Sequence, residues 1–150
     1  MPGPYAPSVL RFQISFLSQF PAQPPLITFS SDIFHPLLTP LTTYTASGMD
    51  TVSASDQEIL PPGGFSLRYG FPAWFPSLSS SAPQSCSSKK YSVYQILEYL
   101  RHAFNDEDFL DSIPLNSVAN PGAYHAWHTF RTRKLQSSRA LSPQPGPSSK

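Results

Sequence analysis

An α+β fold, with helices gathered on one side of an antiparallel sheet, is what this sequence predicts. Three observations carry that reading: residues 9–17 alternate apolar and polar, an unbroken helical stripe begins at Ser92, and Asn120-Pro121 has the form of a helix start. Strands that precede helices bury their common apolar side in one core. At 150 residues, the chain is long enough for one such domain.

In the first segment Phe12, Ile14 and Phe16 share one face and Arg11, Gln13 and Ser15 the other. A period of two marks a strand with one wet face, as antiparallel sheets have. Phe20-Pro21 and Pro24-Pro25 then impose extended backbone and a corner, because each proline lacks a ladder donor and restricts its predecessor. A cis bond at Pro24-Pro25 is the minority state. A second strand resumes over Leu26–Ser30.

From Pro40 to Gly64 the composition is rich in Thr, Ser, Pro and Gly and predicts loop, with one short strand around Leu41–Ala46. Gly63-Gly64 and Gly70-Phe71-Pro72 are turn signals. Residues 77–90 are serine-rich, low in complexity, and predicted to be a disordered insertion.

Ser92 and Gln95 have capping-box spacing, and Val93, Ile96, Leu97, Leu100 and Phe104 recur at helical intervals. The helix should run to about Phe104 and bury that stripe. Asn120 as N-cap and Pro121 at the first helical position begin another helix, with Ala123, Trp127 and Phe130 on one side. Residues 135–150 are Ser/Pro-rich and predicted to form a disordered tail.

Composition narrows the function. Formal net charge is +1, so no electrostatic pull toward nucleic acid or a membrane surface is indicated. The single cysteine, Cys86, rules out an intramolecular disulfide and fits a reducing compartment. No apolar run approaches the roughly 18 residues of a bilayer span. The first residues, Met-Pro-Gly-Pro-Tyr, lack the basic start and apolar centre of a signal peptide. A cytoplasmic or peripherally attached protein is expected.

The order of Gly3-Pro4-Tyr5, the Phe12–Phe16 strand, Phe20-Pro21, Pro24-Pro25, Ile27, Phe29 and Ile33-Phe34-His35-Pro36 resembles the core of the ubiquitin-conjugating (E2, or UBC) fold. Trp74, the Ser92 helix, and Pro114-Leu115-Asn116 followed by Ala119 continue the likeness, which covers residues 3–134. Within that superfamily the sequence is similar to the catalytically inactive Fused Toes (AKT-interacting protein) group. The similarity lies in Phe29-Ser30-Ser31-Asp32-Ile33-Phe34-His35-Pro36-Leu37 and Tyr94-Gln95-Ile96-Leu97-Glu98-Tyr99, leading to Ala103-Phe104. The resemblance implies a UBC-like antiparallel meander on C-terminal helices, without the family's leading helix and first strand ahead of Gly3. The Arg11–Phe16 strand should then be an open edge.

For function, the resemblance implies a non-catalytic scaffold, a subunit of a Hook-type adaptor that links vesicles or endosomes to dynein. Such a protein would be cytoplasmic and would meet endosomes through its partners, with no cofactor. The alternative keeps the fold but binds ubiquitin or pairs with an active E2. Active enzymes carry His-Pro-Asn and, downstream, the catalytic cysteine; here the tripeptide is His35-Pro36-Leu37, and the cysteine's offset falls on Thr45. A hydroxyl without an adjacent base is a poor nucleophile, and Leu37 has no donor for a developing oxyanion. The degenerate site is therefore His35, Pro36, Leu37 and Thr45, with His35 expected to order the loop. Cys86 is read as an inert thiol. His102, His125 and His128 are read as ordinary helix histidines, since zinc needs three or four convergent ligands. Asp106, Glu107, Asp108 and Asp111 read as a solvated turn or a rim for a basic partner. Arg131, Arg133, Lys134 and Arg139 read as a solvated helix end.

Overall fold

Alternation in the first segment does produce a strand, β1 (Phe12–Ser15), in this computed structural model, which describes residues 4–41, 60–75 and 90–140. The ladder is shorter than residues 9–17, because the Phe20 N–H turns back onto the Leu17 carbonyl at 3.0 Å. The cis bond in the corner that follows precedes Pro21, with another before Pro7. β2 (Leu26–Phe29) then returns antiparallel to β1, with Phe12 opposite Phe29 and Ile14 opposite Ile27. Beyond β2 the described residues add only isolated bridges, Thr28 with Gly64 and Leu38 with Phe65. The sheet of the described residues is thus a two-stranded hairpin rather than a full meander.

Gly63 permits the turn that brings that bridge in. Its φ is +73°, and a Cβ there would lie 2.7 Å from the Phe29 carbonyl oxygen. Glycine alone takes that conformation at no steric cost.

Helix α1 (Val93–Asn105) begins as its spacing predicts. The Ser92 hydroxyl accepts from the Gln95 N–H at 3.3 Å, and the Gln95 side-chain oxygen accepts from the Ser92 N–H at 2.9 Å. Its buried side differs from the predicted stripe. Ile96, Tyr99, Leu100, Ala103 and Phe104 are buried, whereas Val93 and Leu97 are 40% and 44% exposed. The helix is rolled so that small Ala103 and Tyr99 lie on its buried side. Phe104 packs on Phe29 of β2, with ring centroids 5.3 Å apart, and on Phe65 at 5.9 Å. The two strands therefore pair with each other, and β2 lies against the Ser92 helix through Phe29.

The acidic cluster is not a turn. Asp106 caps a short helix, α2 (Glu107–Ser112), accepting from the Asp108 N–H at 3.1 Å. Acidic residues in a first turn suit the helix dipole. Helix α3 (Pro121–Ala140) starts at the Asn-Pro pair, where the Asn120 side chain accepts from the Ala123 N–H at 3.1 Å. It runs past the predicted boundary at Leu135, since nothing from Leu135 to Ala140 is a proline or glycine that would stop it. Ala123 is buried and Trp127 half-buried, but Phe130 is 53% exposed and does not join the core. The predicted strand beyond Leu41, most of the 77–90 insertion and residues 141–150 lie outside the described residues.

The core is one cluster. Ile27 and Phe29 come from β2, Leu37 and Leu38 from the next loop, Phe65 and Leu67 from the bridged segment, and the rest from the helices and their connections. Each fully buried large apolar side chain contributes about 1.5–3 kcal/mol. Trp74 packs on Phe71 and Tyr91 and donates its indole N–H to the Pro21 carbonyl at 2.9 Å, pinning the proline corner to the helical half. No described helix is long and apolar enough to cross a membrane.

Candidate functional site

The loop Ile33–Leu38 leaves β2 and runs beneath α1. Of its apolar side chains Ile33, Leu37 and Leu38 are buried, while Phe34 is 63% exposed. His35 is a titratable group with no exposed surface. A buried polar side chain is tolerated only when its hydrogen bonds are made.

Both ring nitrogens are in use. Nδ1 accepts the Leu37 N–H at 3.0 Å, and Nε2 lies 2.9 Å from the Ala103 carbonyl oxygen. A nitrogen that accepts an N–H carries no proton of its own, so the proton sits on Nε2 and is donated to Ala103. Ala103 lies in the last turn of α1, where carbonyls lack a helical partner. His35 therefore caps α1 from outside while closing its own loop. The ring is enclosed by Phe104 at 4.5 Å, Tyr5 at 5.3 Å and Phe65 at 5.9 Å between centroids. This burial pushes the imidazole pKa down to about 4, against a smaller opposing effect of the Ala103 bond. Burial also pushes the Tyr5 phenol well up, and its hydroxyl donates to the Phe34 carbonyl at 2.9 Å.

Pro36 and Leu37 complete the node. The Pro36 carbonyl accepts from the N–H groups of Ala119 and Asn120, at 2.8 and 2.9 Å, and so ties the loop to the start of α3. Leu37 has no exposed surface and belongs to the core. His35, Pro36 and Leu37 thus meet as structure: a neutral imidazole with no free nitrogen cannot take a proton from a reactant, and a buried isobutyl group cannot hold an oxyanion. Thr45 and Cys86 lie outside the described residues.

Some of the residues read as solvated charges form a second node, while Arg133 and Arg139 are exposed as expected. Arg131 donates from Nε to both Asp111 carboxylate oxygens, at 3.2 and 2.9 Å, and from a terminal nitrogen to Oδ2 at 2.6 Å. Its other terminal nitrogen donates to Glu107. Lys134 reaches both Glu107 oxygens at 3.0 and 3.1 Å. Trp127 donates its indole N–H to Asp111 Oδ1 at 2.7 Å and lies under the Arg131 guanidinium. The spacing Glu107/Asp111 on one helix and Trp127/Arg131/Lys134 on another is the sequence signal for this clasp. That spacing puts Glu107 and Asp111 on one face only because residues 107–112 are helical. Hydrogen bonding to Asp111 and the surrounding carboxylates hold the Arg131 pKa above its ordinary value.

Because the Arg131 side chain is only 19% exposed, the clasp is worth more than a surface pair. Asp111→Asn is expected to lower unfolding free energy by about 1–2 kcal/mol. Leu135→Ala, on the exposed part of α3, should change it by less than about 0.5 kcal/mol. Urea denaturation of both variants checks the contrast.

His102 lies 3.7 Å from Asp106 at the surface, and the rings of His125 and His128 lie 5.4 and 4.3 Å from that of Tyr124. Among the described residues no three His, Cys, Asp or Glu side chains converge as metal ligands. No family model, curated protein or solved structure matches this chain.

Proposed function

We propose that this chain is a non-catalytic, UBC-like interaction scaffold, of the Fused Toes type, that works as a subunit of a Hook-type vesicle- or endosome-to-dynein adaptor. The observation that carries the non-catalytic part is the engagement of both His35 ring nitrogens by backbone. The residue that would flank a reactive centre instead holds α1 to its loop. Leu37, buried beside it, supports the same reading, because a conjugating site needs a donor there. The partner class rests on the sequence resemblance through Ile33–Leu37, Tyr94–Tyr99 and Pro114–Asn116.

Incubation with activating enzyme, ubiquitin and ATP is expected to give no thiol-sensitive adduct. Charging of Cys86 would overturn the non-catalytic reading. In the same series, a Hook-type coiled coil is expected to bind saturably. Binding to free ubiquitin or to an active E2, with no binding to the coiled coil, would replace the adaptor reading by the E2-variant one.

A further inference from the structure

Among the described residues the outer edge of β1 is open. On the far side of β2, the Phe29 N–H bonds to the Gly63 carbonyl at 2.8 Å and the Ile27 carbonyl accepts from the Phe65 N–H at 2.9 Å. Backbone groups alternate in direction along a strand, so Leu26, Thr28 and Ser30 face β1 and engage Ser15, Gln13 and Arg11. The Ser30 N–H bond to the Arg11 carbonyl at 3.2 Å fits that phase. The N–H and C=O groups of Phe12 and Ile14 therefore point outward, and among the described residues no hydrogen bond reaches them.

Exposed edges are ordinarily blunted by charge, proline or a bulge. Between Phe12 and Leu17 there is no charge and no proline, and Arg11 is the only charged residue before Asp32. Phe12 and Phe16, on the same face as Ile14, are 42% and 48% exposed. We propose that this edge pairs with its equivalent in a second copy of the chain, antiparallel and about a two-fold axis at Ile14. The two hairpins then become one four-stranded sheet.

The register selects that occupant. Centred on Ile14, the pairing sets Phe12 opposite Phe16 of the partner subunit, Gln13 opposite Ser15 of the partner subunit, and Arg11 opposite Leu17 of the partner subunit. From residue 12 to residue 16 apolar meets apolar and polar meets polar on each face, and the Arg11–Leu17 pair lies beyond that matched span. The two arginines lie roughly 20 Å apart at strand rise, well beyond the about 8 Å screening length of physiological salt. A formal charge of +1 per chain leaves little repulsion between copies. A shift by one residue would set phenylalanines against Gln13 and Ser15 and move the bonding groups out of phase.

Sedimentation of the full chain over a dilution series should show a monomer–dimer equilibrium. Phe12→Lys and Phe16→Glu, both at exposed positions, should each weaken dimerisation at least about tenfold, since each change recurs twice across the axis. Mixing the two variants should restore dimers, because the new ammonium then faces the new carboxylate and the remaining Phe–Phe pair is kept. In a Cys86→Ser background, Ile14→Cys should cross-link to itself under mild oxidation. Directly opposed bonded residues lie about 5.5 Å apart at Cα, within disulfide reach. Val9→Cys, at a position 85% exposed, is the control. A chain that stays monomeric at every concentration, a mixture no more dimeric than either variant, or cross-linking equal at Val9 and Ile14 would overturn the proposal.

Discussion

His35→Ala is expected to lower unfolding free energy by about 3–5 kcal/mol at neutral pH. The substitution strands two buried partners, the Leu37 N–H and the Ala103 carbonyl. Each stranded group costs about 1–3 kcal/mol, and the vacated space among Phe104, Tyr5 and Phe65 adds to that. His35→Asn should be milder by about 1 kcal/mol, because a short side-chain carbonyl accepts the N–H two residues on. Denaturant melts of both variants beside the parent chain test the order.

The same ring sets a pH dependence whose sign is fixed. Above pH 6.5 the imidazole is neutral in both folded and unfolded chains, and the full stability is present. As pH falls from 6.5 toward about 4, the unfolded chain takes up a proton that the buried ring refuses. Stability is therefore lost on acidification through this window, by up to about 3 kcal/mol at its lower end. Below about pH 4 this contribution levels off, since both states are then charged. In His35→Ala the loss between pH 6.5 and 5 should be absent, so the gap between parent and variant narrows with acid.

Phe104→Ala is expected to cost as much, about 3–5 kcal/mol. This ring is where the halves of the molecule meet: it packs on Phe29 of β2, Phe65 of the bridged segment, His35 of the loop and Tyr5 of the leading turn. A domain of ordinary stability, about 5–15 kcal/mol, could lose half of it to this one change. Leu97→Ala, seven residues earlier on the same helix but 44% exposed, should cost less than about 1 kcal/mol. Because Phe104 and His35 touch, their double variant should be less destabilised than the two losses added.

Much of this architecture was legible where local chemistry decides. Ser92 with Gln95 and Asn120 with Pro121 announce helix starts because a cap is a short-range contact, and both caps are made. The hairpin was legible from alternation and its proline corner. Which side of α1 is buried was not, because an alanine and a tyrosine give weak periodic signals while their packing depends on a sheet far away in sequence. The acidic residues from Asp106 read as a turn, since their hydrogen-bond partners, Trp127, Arg131 and Lys134, lie on a later helix. Phe130, on one side of α3 with Ala123 and Trp127, is exposed because the apolar contacts of α3 with the domain are those of Ala123, Tyr124 and Trp127, and beyond them the helix is held by the Arg131 and Lys134 ion pairs. The loop role expected for His35 was legible from its motif. That its second nitrogen caps α1 was not, for Ala103 lies 68 residues downstream.

The state of one imidazole tests the central claim most directly: that the His35-Pro36-Leu37 loop is a sealed joint rather than a reactive centre. Nitrogen resonances of His35 in the isotope-labelled full chain report its tautomer and its titration together. The expected result is a neutral ring protonated on Nε2 that stays so from neutral pH down toward about 4. A ring that takes up its proton near 6.5, or that carries it on Nδ1, would contradict the claim.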